Sequence, residues 1–306
     1  MKILYKLDDL KKIAGNVVLG NFDGVHIGHQ KLIKLAVADA KQQGIASLVI
    51  TFTPHPRTFF EADSFKLIMN ETTKEQTLAT MGIDYLAKLP FSAVLANMDA
   101  EDFIRQYLLA NINISKIFVG VDYHFGKAAK GDIMLFKRFS EFTTVAIEPL
   151  IYEGEKISSS RIKYLIGVGD MEKAFILLGK YFMQQGKVDA NRNSGRKFGF
   201  STAIILVAEN YVQPAVGVYA CKVKIDQQIF AGMVNVTYGN TIQVKNKLII
   251  EVHIFDFLEE ISGKKIDLYY MTRIRDEFKF SNQEELRTQL VKDKKNVEEY
   301  FLSMKF

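Results

Sequence analysis

The stretch that decides the fold reads Gly20-Asn21-Phe22-Asp23-Gly24-Val25-His26-Ile27-Gly28-His29. Before it, residues 16–20 form a short run typical of a buried strand. After it, apolar residues recur at helical spacing as far as about residue 43. A strand, a glycine-containing turn and a helix in this order begin a βαβ unit, so the stretch predicts an α/β fold.

The same alternation continues over the first 150 residues. Ligands of such sheets bind beyond the carboxyl ends of the strands, which is where the loop at residues 20–29 is expected to lie. Strand–helix alternation indicates one parallel sheet with helices on both faces. Further strands are predicted at residues 47–52, 84–89, 116–120 and 144–148, and helices at residues 29–43, 72–81, 100–110 and 132–139.

The character of the chain changes after about residue 155. Two short helices are predicted at residues 158–167 and 171–179, and from about Gly186 the pattern becomes one of strands and turns. A final helix is predicted at residues 282–301, with Ser281 and Glu284 as its capping box. We therefore expect two domains, residues 1–182 and residues 183–306. Strands at residues 217–223, 229–236, 248–257 and 265–272 predict a small antiparallel barrel in the second domain.

Composition narrows the class of protein. The 306 residues have room for two domains, and 48% hydrophobic with 25% charged residues is ordinary for a globular protein without membrane spans. A net charge of +5 suits an anionic small molecule such as a nucleotide and is too weak to indicate nucleic-acid binding. The single cysteine, Cys221, and the lack of a secretory signal at residues 1–6 favour a cytoplasmic location.

The loop at residues 20–29 has the chemistry of a phosphate site. Its glycines allow tight turning and close approach of the backbone to a ligand. The helix that follows presents free N–H groups and the positive end of its dipole, which favour an anion. His26 and His29 are three residues apart, so both imidazoles can lie on one side of the helix start and donate to phosphate oxygens.

Other nucleotide and metal chemistries lack their motifs. The sequence has no Gly-x-x-x-x-Gly-Lys-Ser/Thr loop, which excludes a P-loop enzyme, and no Gly-x-Gly-x-x-Gly after the first strand to anchor a nicotinamide cofactor. Five histidines and one cysteine do not make a closed zinc site.

Two segments resemble the signatures of the nucleotidylyltransferase superfamily, whose members transfer a nucleoside monophosphate and release pyrophosphate. Residues 20–29 resemble its His-x-Gly-His element. The run Ile157-Ser158-Ser159-Ser160-Arg161-Ile162-Lys163 resembles its Ile-Ser-Ser-Thr/Ser-Arg-x-Arg element, which holds the triphosphate. The second arginine of that element is Lys163 here, which keeps the charge but loses the bidentate fork.

Two further segments narrow the resemblance to one family. Residues 51–56, Thr-Phe-Thr-Pro-His-Pro, and residues 119–127, Val-Gly-Val-Asp-Tyr-His-Phe-Gly-Lys, both stand where strands are predicted to end. With the two signatures they resemble the bacterial bifunctional riboflavin kinase/FMN adenylyltransferase, or FAD synthetase, over about residues 14–302. The resemblance implies a Rossmann-like nucleotidylyltransferase domain followed by a riboflavin-kinase-like β-barrel with a C-terminal helix.

The resemblance also implies substrates and site residues. The first domain is expected to bind ATP and FMN, with Mg²⁺ bridging the triphosphate oxygens, and to make FAD. The predicted catalytic residues there are His26, His29, Ser158 and Arg161; the predicted nucleotide-binding residues are Gly20, Asn21, Phe22, Asp23, Gly28, Ser159 and Ser160; the predicted flavin-binding residues are His55, Pro56, Asp122 and Phe125.

The kinase signature of the second domain departs from the family at two positions. The family motif Gly-Arg-x-x-Gly-Phe-Pro-Thr-Ala-Asn appears here at residues 195–204 with Ser201 for proline and Ile204 for asparagine. In the family the threonine and asparagine hold Mg²⁺ and phosphates, so Thr202 remains a predicted metal ligand while Ile204 offers no oxygen. By the same resemblance Glu251 is the predicted catalytic base and Arg275 contacts the flavin.

The sequence therefore predicts intact adenylyl transfer and a kinase that is weak or lost. Three alternatives stay open: a fully bifunctional enzyme, a nucleotidylyltransferase for another phosphorylated substrate, and a non-catalytic flavin or nucleotide sensor. The predicted partners are the small-molecule substrates ATP, FMN and, if the kinase works, riboflavin. Self-association and the preferred redox state of the flavin are left open.

Overall fold

A parallel sheet and an antiparallel barrel make up the computed structural model, which describes residues 1–62, 64–190, 196–197, 200–239, 247–278 and 280–304. Contacts divide the chain into two units, Met1–Ser159 and Ser160–Phe306. The sequence-based domain boundary at residue 182 stays a prediction about functional domains. Within the described parts of the chain, no helix has both the length and the apolar character needed to cross a bilayer.

The first unit contains a six-stranded sheet in the order β1-β4-β3-β2-β5-β6. Every pairing is parallel, which confirms the fold expected from the alternating pattern. The order reverses between β2 and β5, and ligands of open α/β sheets bind at such a point. The strands are β1 (Lys2–Leu4), β2 (Ala14–Leu19), β3 (Ala46–Thr53), β4 (Tyr85–Pro90), β5 (Asn113–Gly120) and β6 (Thr143–Ile147).

Strand β2 is buried on both faces, as its continuous apolar run predicts. Val17 and Leu19 pack into the core on one side of the sheet, and Val18 packs into the core on the other. The α-helices of this unit are α1 (Ile27–Gln43), α2 (Pro56–Phe60), α3 (Glu71–Ala79), α4 (Ala93–Ala96), α5 (Ala100–Asp102) and α6 (Ile133–Lys137). The unit also has 3₁₀ turns at Leu7–Leu10 and Lys127–Ala129 and a hairpin of β7 (Ile151–Tyr152) and β8 (Glu155–Lys156).

The helix predicted at residues 100–110 differs from the α-helix that was expected. Only Ala100–Asp102 is α-helical, and Phe103–Leu109 forms a π-helix. Phe103, Ile104 and Tyr107 are still buried on one side of it. The apolar pattern therefore predicted the buried face, but it carried no signal for the wider helical winding.

The second unit begins with two helices and continues as a closed barrel. The barrel order is β11-β14-β13-β12-β15-β9, and β9 pairs with β11 to close it. All of these pairings are antiparallel, which confirms the predicted barrel. The elements are α7 (Ser159–Val168), α8 (Met171–Leu178), β9 (Phe182–Val188), β10 (Arg196–Lys197), β11 (Phe200–Leu206), β12 (Gly217–Ile225), β13 (Gln228–Gly239), β14 (Lys247–Ile254), β15 (Lys265–Arg275) and α9 (Gln283–Ser303).

Large side chains fill the inside of the barrel, and helix α9 covers part of its outside. Tyr219, Tyr270 and Phe182 are almost completely buried inside. On the outer face, Val297 and Phe301 of α9 pack into one cluster with side chains of the barrel strands. Helix α9 therefore covers only part of the outer face of the barrel.

Two boundaries in this unit differ from those predicted. The barrel begins at Phe182, four residues before Gly186, because alternate side chains of β9 already point into the barrel. The cap of α9 is Asn282, whose side chain accepts from the backbone N–H of Glu285 at 2.9 Å. Ser281 instead donates its backbone N–H to the Glu285 carboxylate at 2.8 Å, so the predicted capping box is displaced by one residue.

Candidate functional site

The loop between β2 and α1 is held in place by its own apolar side chains, which are buried. Phe22 and Val25 have positive φ angles of 54° and 43°, and both side chains are buried. A Cβ on Gly20 would lie 2.7 Å from the Phe22 ring, so this glycine is required by packing. Sequence reasoning placed Gly20 and Phe22 at a nucleotide pocket, and the structure gives both a part in shaping the loop.

The two histidines of the loop come together at the start of α1. His26 is the N-cap of the helix, and its Nδ1 accepts from the backbone N–H of His29 at 3.3 Å. The two imidazole rings stack with centroids 3.6 Å apart. A Cβ on Gly28 would approach the His26 ring to 3.2 Å, so this position keeps space for the stack. Both rings therefore lie at the end of the helix that attracts anions.

Asp23 joins this loop to two other segments of the first unit. Its carboxylate Oδ1 accepts from the backbone N–H of Ile68 at 2.8 Å, and its backbone carbonyl accepts from the Ser159 hydroxyl at 2.9 Å. Thr51 at the end of β3 donates its hydroxyl to the backbone carbonyl of Asn21 at 3.3 Å. Ser159 thus holds the loop, a role that the sequence did not reveal.

The serine-rich segment enters α7 next to this junction. Ile157 is buried and anchors the segment, Ser158 is half-buried, and Ser160 is exposed. Arg161 lies in the first turn of α7, two residues after Ser159. Because Ser160 and Arg161 belong to the second unit, their roles at the triphosphate stay predictions that rest on continuity of the chain from Ser159.

A cavity of about 350 Å³ opens at the carboxyl ends of the parallel strands, beside the loop between β2 and α1. Three predicted residues, Asn21, Pro56 and Phe125, line it. The remaining residues of the cavity wall were not predicted from the sequence. Aromatic residues at strand ends have the same sequence pattern whether they line a cavity or pack into a core. The remaining residues are Phe52, Phe60, Phe91, Leu95, Ala96, Phe103, Tyr123, His124, Gly126, Ala128 and Ala129.

Aromatic rings make up much of the cavity wall. Phe125 stacks on Phe136 with centroids 4.3 Å apart and lies 5.3 Å from the ring of Phe103. Burial raises the pKa of the Tyr123 hydroxyl, which therefore stays protonated at neutral pH. The wall can accept a flat apolar ring system and offers a few polar groups, including the Asn21 side chain, to orient it.

The other two predicted flavin residues do not line the cavity. His55 is the N-cap of α2, where its Nδ1 accepts from the backbone N–H of Arg57 at 3.1 Å, and its ring stacks on Phe65 at 4.6 Å. Asp122 is exposed and forms an ion pair with Lys156. A direct role of either residue with the ligand stays a prediction.

The outer face of the barrel carries the residues of the second predicted site. The Thr202 hydroxyl and His253 Nδ1 are hydrogen-bonded at 2.9 Å, and both residues are buried. Glu251 on β14 is half-buried and has Ile204 of β11 opposite it on one side and Asn235 of β13 on the other. Directly paired residues share a face, so Ile204 places an aliphatic group beside the predicted base.

Parts of the kinase signature lie outside the described residues. Gly195, Phe198 and Gly199 are among them, and residues 196, 197, 200 and 201 are described by their backbone alone. Within the described ranges, no group of three or more His, Cys, Asp or Glu side chains is arranged to hold a metal ion.

Arg275 is engaged by the C-terminal helix. Its guanidinium donates to both carboxylate oxygens of Asp293 at 2.8 to 3.0 Å, and Asp293 is fully buried. The guanidinium also lies over the Phe278 ring at 4.4 Å. The predicted contact of Arg275 with flavin stays a prediction, and the observed contacts join β15 to α9.

Comparisons with known proteins cover both units. A family model described as FAD synthetase matches residues 10–161, and one described as Riboflavin kinase matches residues 178–301. The bifunctional riboflavin kinase/FMN adenylyltransferase of Listeria monocytogenes is 32% identical over 97% of this chain and 94% of its own. The enzyme of the same name from Bacillus subtilis is 34% identical over 94% of this chain and 93% of its own.

One solved structure covers almost the whole chain. It is described as that of a macrolide-efflux protein from Streptococcus pneumoniae, and it is 31% identical to this chain. The two superpose with a TM-score of 0.88 over 97% of this chain and 99% of the other.

Proposed function

The chain belongs to the family of bifunctional riboflavin kinase/FMN adenylyltransferases, and we propose that its first unit transfers the adenylyl group of ATP to FMN, which forms FAD and releases pyrophosphate. The observation that carries the proposal is the stacked pair of His26 and His29 at the start of α1, next to an aromatic cavity at the same sheet edge. Asn21 belongs both to the loop that carries the histidines and to the cavity wall.

The transfer is an in-line displacement. A phosphate oxygen of FMN forms a bond to the α-phosphorus of ATP, and the bond from that phosphorus to the bridging oxygen of pyrophosphate breaks. The protein forms no covalent bond, so its work is to position two anions and stabilise the charge that develops between them. The helix start and the two imidazoles are the groups of the first unit that we assign to this task.

The cap of α1 determines which nitrogen of His26 can donate. Nδ1 accepts a hydrogen bond from the His29 backbone, so in the neutral ring the proton resides on Nε2. We propose that this Nε2–H donates to a triphosphate oxygen. The same hydrogen bond holds the imidazole plane in place before the nucleotide arrives, which reduces the entropy lost on binding.

Mg²⁺ fits the adenylyl-transfer site as a companion of the nucleotide. The described residues offer no cage of protein ligands, and Mg²⁺ commonly keeps several waters and binds through substrate phosphates. When bound to the triphosphate, the ion neutralises part of its charge. The residues of this chain then orient the phosphates through hydrogen bonds.

We assign the aromatic cavity to the ring system of FMN. A volume of about 350 Å³ falls in the usual range for a small-molecule pocket, and its wall is largely aromatic. Stacking against rings such as Phe125 would hold a flat tricyclic ring. The phosphate at the far end of FMN would then extend toward the loop that carries Asn21 and His26.

The kinase site of the barrel lacks one of the oxygen ligands that the family motif offers to Mg²⁺. Ile204 faces Glu251 where the family has a carboxamide, and a hard cation requires oxygen ligands. Loss of one ligand that clamps a metal removes several kcal/mol of transition-state stabilisation. We therefore propose that riboflavin phosphorylation by this chain is weak or lost, and that Glu251 and Thr202 remain from a working site.

One pair of assays tests both statements. Purified protein receives ATP and Mg²⁺ with FMN in one arm and with riboflavin in the other, and products are separated by chromatography. We expect FAD and pyrophosphate from FMN, and little or no FMN and FAD from riboflavin, counted together because the first unit would convert newly formed FMN into FAD. Combined formation of FMN and FAD from riboflavin at about 1 s⁻¹ or faster would contradict the kinase loss, because that is an ordinary enzyme rate. Flavin binding without pyrophosphate release would instead indicate a sensor.

The fully bifunctional enzyme is the second candidate. It is favoured by the position of Glu251 on the open outer face and by Thr202 with its hydrogen bond to His253. The riboflavin arm of the assay separates it from the first candidate. The predicted cytoplasmic location, the lack of nucleic-acid partners and the question of self-association stay proposals, and gel filtration with light scattering decides the last.

A further inference from the structure

Asp23 stands where three segments of the first unit meet. We propose that Asp23 is a positioning residue that couples nucleotide binding at the histidine loop to FMN binding in the aromatic cavity; this rests on the proposed adenylyl transfer. Asp23 does not need to touch either substrate for this role. It acts through hydrogen bonds to the segments that do.

The first link is a buried hydrogen bond. Asp23 is 4% exposed and Ile68 is 3% exposed, and the distance from the Asp23 carboxylate to the Ile68 backbone nitrogen is 2.8 Å. A charged acceptor gives a stronger hydrogen bond than a neutral one, and water does not compete for buried partners. A displacement of the loop at Asp23 is therefore transmitted to Ile68.

The second link runs from Ile68 to the cavity wall. Phe65, three residues before Ile68, is buried and stacks on the ring of His55. His55 caps α2, and the first and last residues of that helix, Pro56 and Phe60, both line the cavity. The position of the segment at residues 64–68 thus influences the wall that would contact FMN.

The third link runs from Asp23 to the phosphate groups. The backbone carbonyl of Asp23 accepts the Ser159 hydroxyl, at the point where the serine-rich segment enters α7. His26 follows Asp23 by three residues and caps α1. A triphosphate that contacts the histidines and the serine segment would restrain Asp23 from both sides.

A purely structural role is the competing explanation, and the chain offers a control for it. Asp84 lies just before β4, at the amino ends of the strands, where its carboxylate accepts from the Ser47 backbone at 2.9 Å and from the Ser47 hydroxyl at 2.8 Å. Asp84 is exposed whereas Asp23 is buried, so the free energy of unfolding of Asp84→Ala and of Asp23→Ala is measured alongside the coupling. A structural role predicts that coupling falls with stability in both variants, whereas a positioning role predicts that only Asp23→Ala loses coupling.

The first experiment measures coupling by binding. FMN affinity is obtained from quenching of its fluorescence, with and without α,β-methylene-ATP and Mg²⁺. In the wild type we expect the analogue to tighten FMN binding at least about fivefold, the lower end of usual coupling. In Asp23→Ala this factor should fall to about one, whatever the affinity for each ligand alone, because the factor is a ratio taken within one variant.

The controls decide what the result means. Asp23→Asn keeps an oxygen that can accept from Ile68 and should retain most of the coupling, as should Asp84→Ala. A wild-type factor of one, or an unchanged factor in Asp23→Ala, overturns the proposal. Binding of both ligands with no coupling leaves the proposed function standing, whereas binding of neither ligand overturns the proposed function and the coupling together.

The second experiment uses only the wild-type protein. Hydrogen exchange of the wild type is followed by mass spectrometry in peptides that cover residues 64–70, with and without the ATP analogue and no flavin present. Added analogue should slow exchange in this segment, although the segment lies on the flavin side. Unchanged exchange there, with protection at residues 20–29, overturns the coupling while it supports nucleotide binding.

Discussion

His26 combines a structural and a chemical task in one imidazole. Nδ1 caps α1, and Nε2 is the atom for which we propose a hydrogen bond to the triphosphate. An N-cap contributes about 1 kcal/mol to stability, so an alanine substitution would lose both functions at once. Asparagine is also a good N-cap but has no imidazole, which makes the two functions separable.

The variant His26→Asn should therefore keep the fold and lose the reaction. We expect its free energy of unfolding to stay within about 0.5 kcal/mol of the wild type. FAD formation from FMN should fall by about 10²-fold in kcat/KM, since one preorganised donor is lost. Asn282→Ala removes the cap of α9 and is the control: it should lose about 1 kcal/mol without a change in FAD formation. An active His26→Asn enzyme would refute the assigned role.

At the scale of elements, α9 is joined to β15 by a buried ion pair. Asp293 is fully buried and holds the Arg275 guanidinium through both of its oxygens, and Gln289 donates to the same carboxylate at 2.7 Å. Removing one member of such a pair leaves an uncompensated charge, which costs more than the net contribution of the intact pair.

Asp293→Ala should therefore destabilise the second unit strongly. We expect a loss of about 3 kcal/mol, measured by urea unfolding with hydrogen exchange in α9 as the local probe. Glu299→Ala on the same helix removes only an exposed ion pair with Lys295 and should change stability by less than about 0.5 kcal/mol. Equal losses of stability in the two variants would show that the buried ion pair contributes no more to stability than the exposed one.

A second network joins α3 to β4 and should make the first unit sensitive to pH. Burial acts to raise the pKa of Glu71, but Lys74 and Lys88 outweigh it and lower that pKa below its usual 4.5. Burial acts to lower the pKa of Lys88, but Glu75 and Glu71 outweigh it and raise that pKa above its usual 10.5.

The direction of each shift determines where stability is lost. The contribution of Glu71 is present above about pH 4.5 and disappears as the pH falls through its lowered pKa; that of Lys88 is present below about pH 10.5 and disappears as the pH rises through its raised pKa. Urea midpoints of the first unit should therefore decline at both extremes. Lys88→Met should be less stable at neutral pH and show a shallower decline in acid. A parallel acid limb in both proteins would refute this account.

At the scale of the whole molecule, the chain carries two sets of site residues in two units. The first set includes His26 and His29, and the second includes Thr202, Ile204 and Glu251. If a working kinase site differs from this one mainly at Ile204, one substitution should restore riboflavin phosphorylation. The same chain would then carry out both phosphorylation and adenylyl transfer.

Ile204→Asn should convert riboflavin and ATP into FAD faster than the wild type, for which we propose a weak or lost kinase. We expect a gain of at least about 10²-fold in FMN formation, since a metal clamp is worth several kcal/mol. Adding Glu251→Gln to this variant should abolish the gain and leave FAD formation from FMN within about twofold of the wild type. A variant without any gain would place the defect elsewhere in the barrel.

Much of the architecture followed from patterns along the chain. Strand–helix alternation predicted the parallel sheet, and closely spaced strands predicted the barrel. The strands that were not predicted are β1, β7, β8, β9, β10 and β11. Short strands such as Lys2–Leu4 carry too few residues for a period to be recognised. The loop with His26 and His29 was recognisable because its residues are neighbours in sequence as well as in space.

The two folds, the family and the histidine pair at the helix start could be predicted from the chain alone, because each depends on local spacing or on a contiguous motif. The three-dimensional arrangement was needed to show that Asp23 bonds to Ile68, that Ile204 faces Glu251 and that Arg275 is held by Asp293. It was also needed to show which aromatic residues line the cavity. These contacts join residues far apart along the chain. Their partners depend on strand register and loop packing, which local periodicity does not encode.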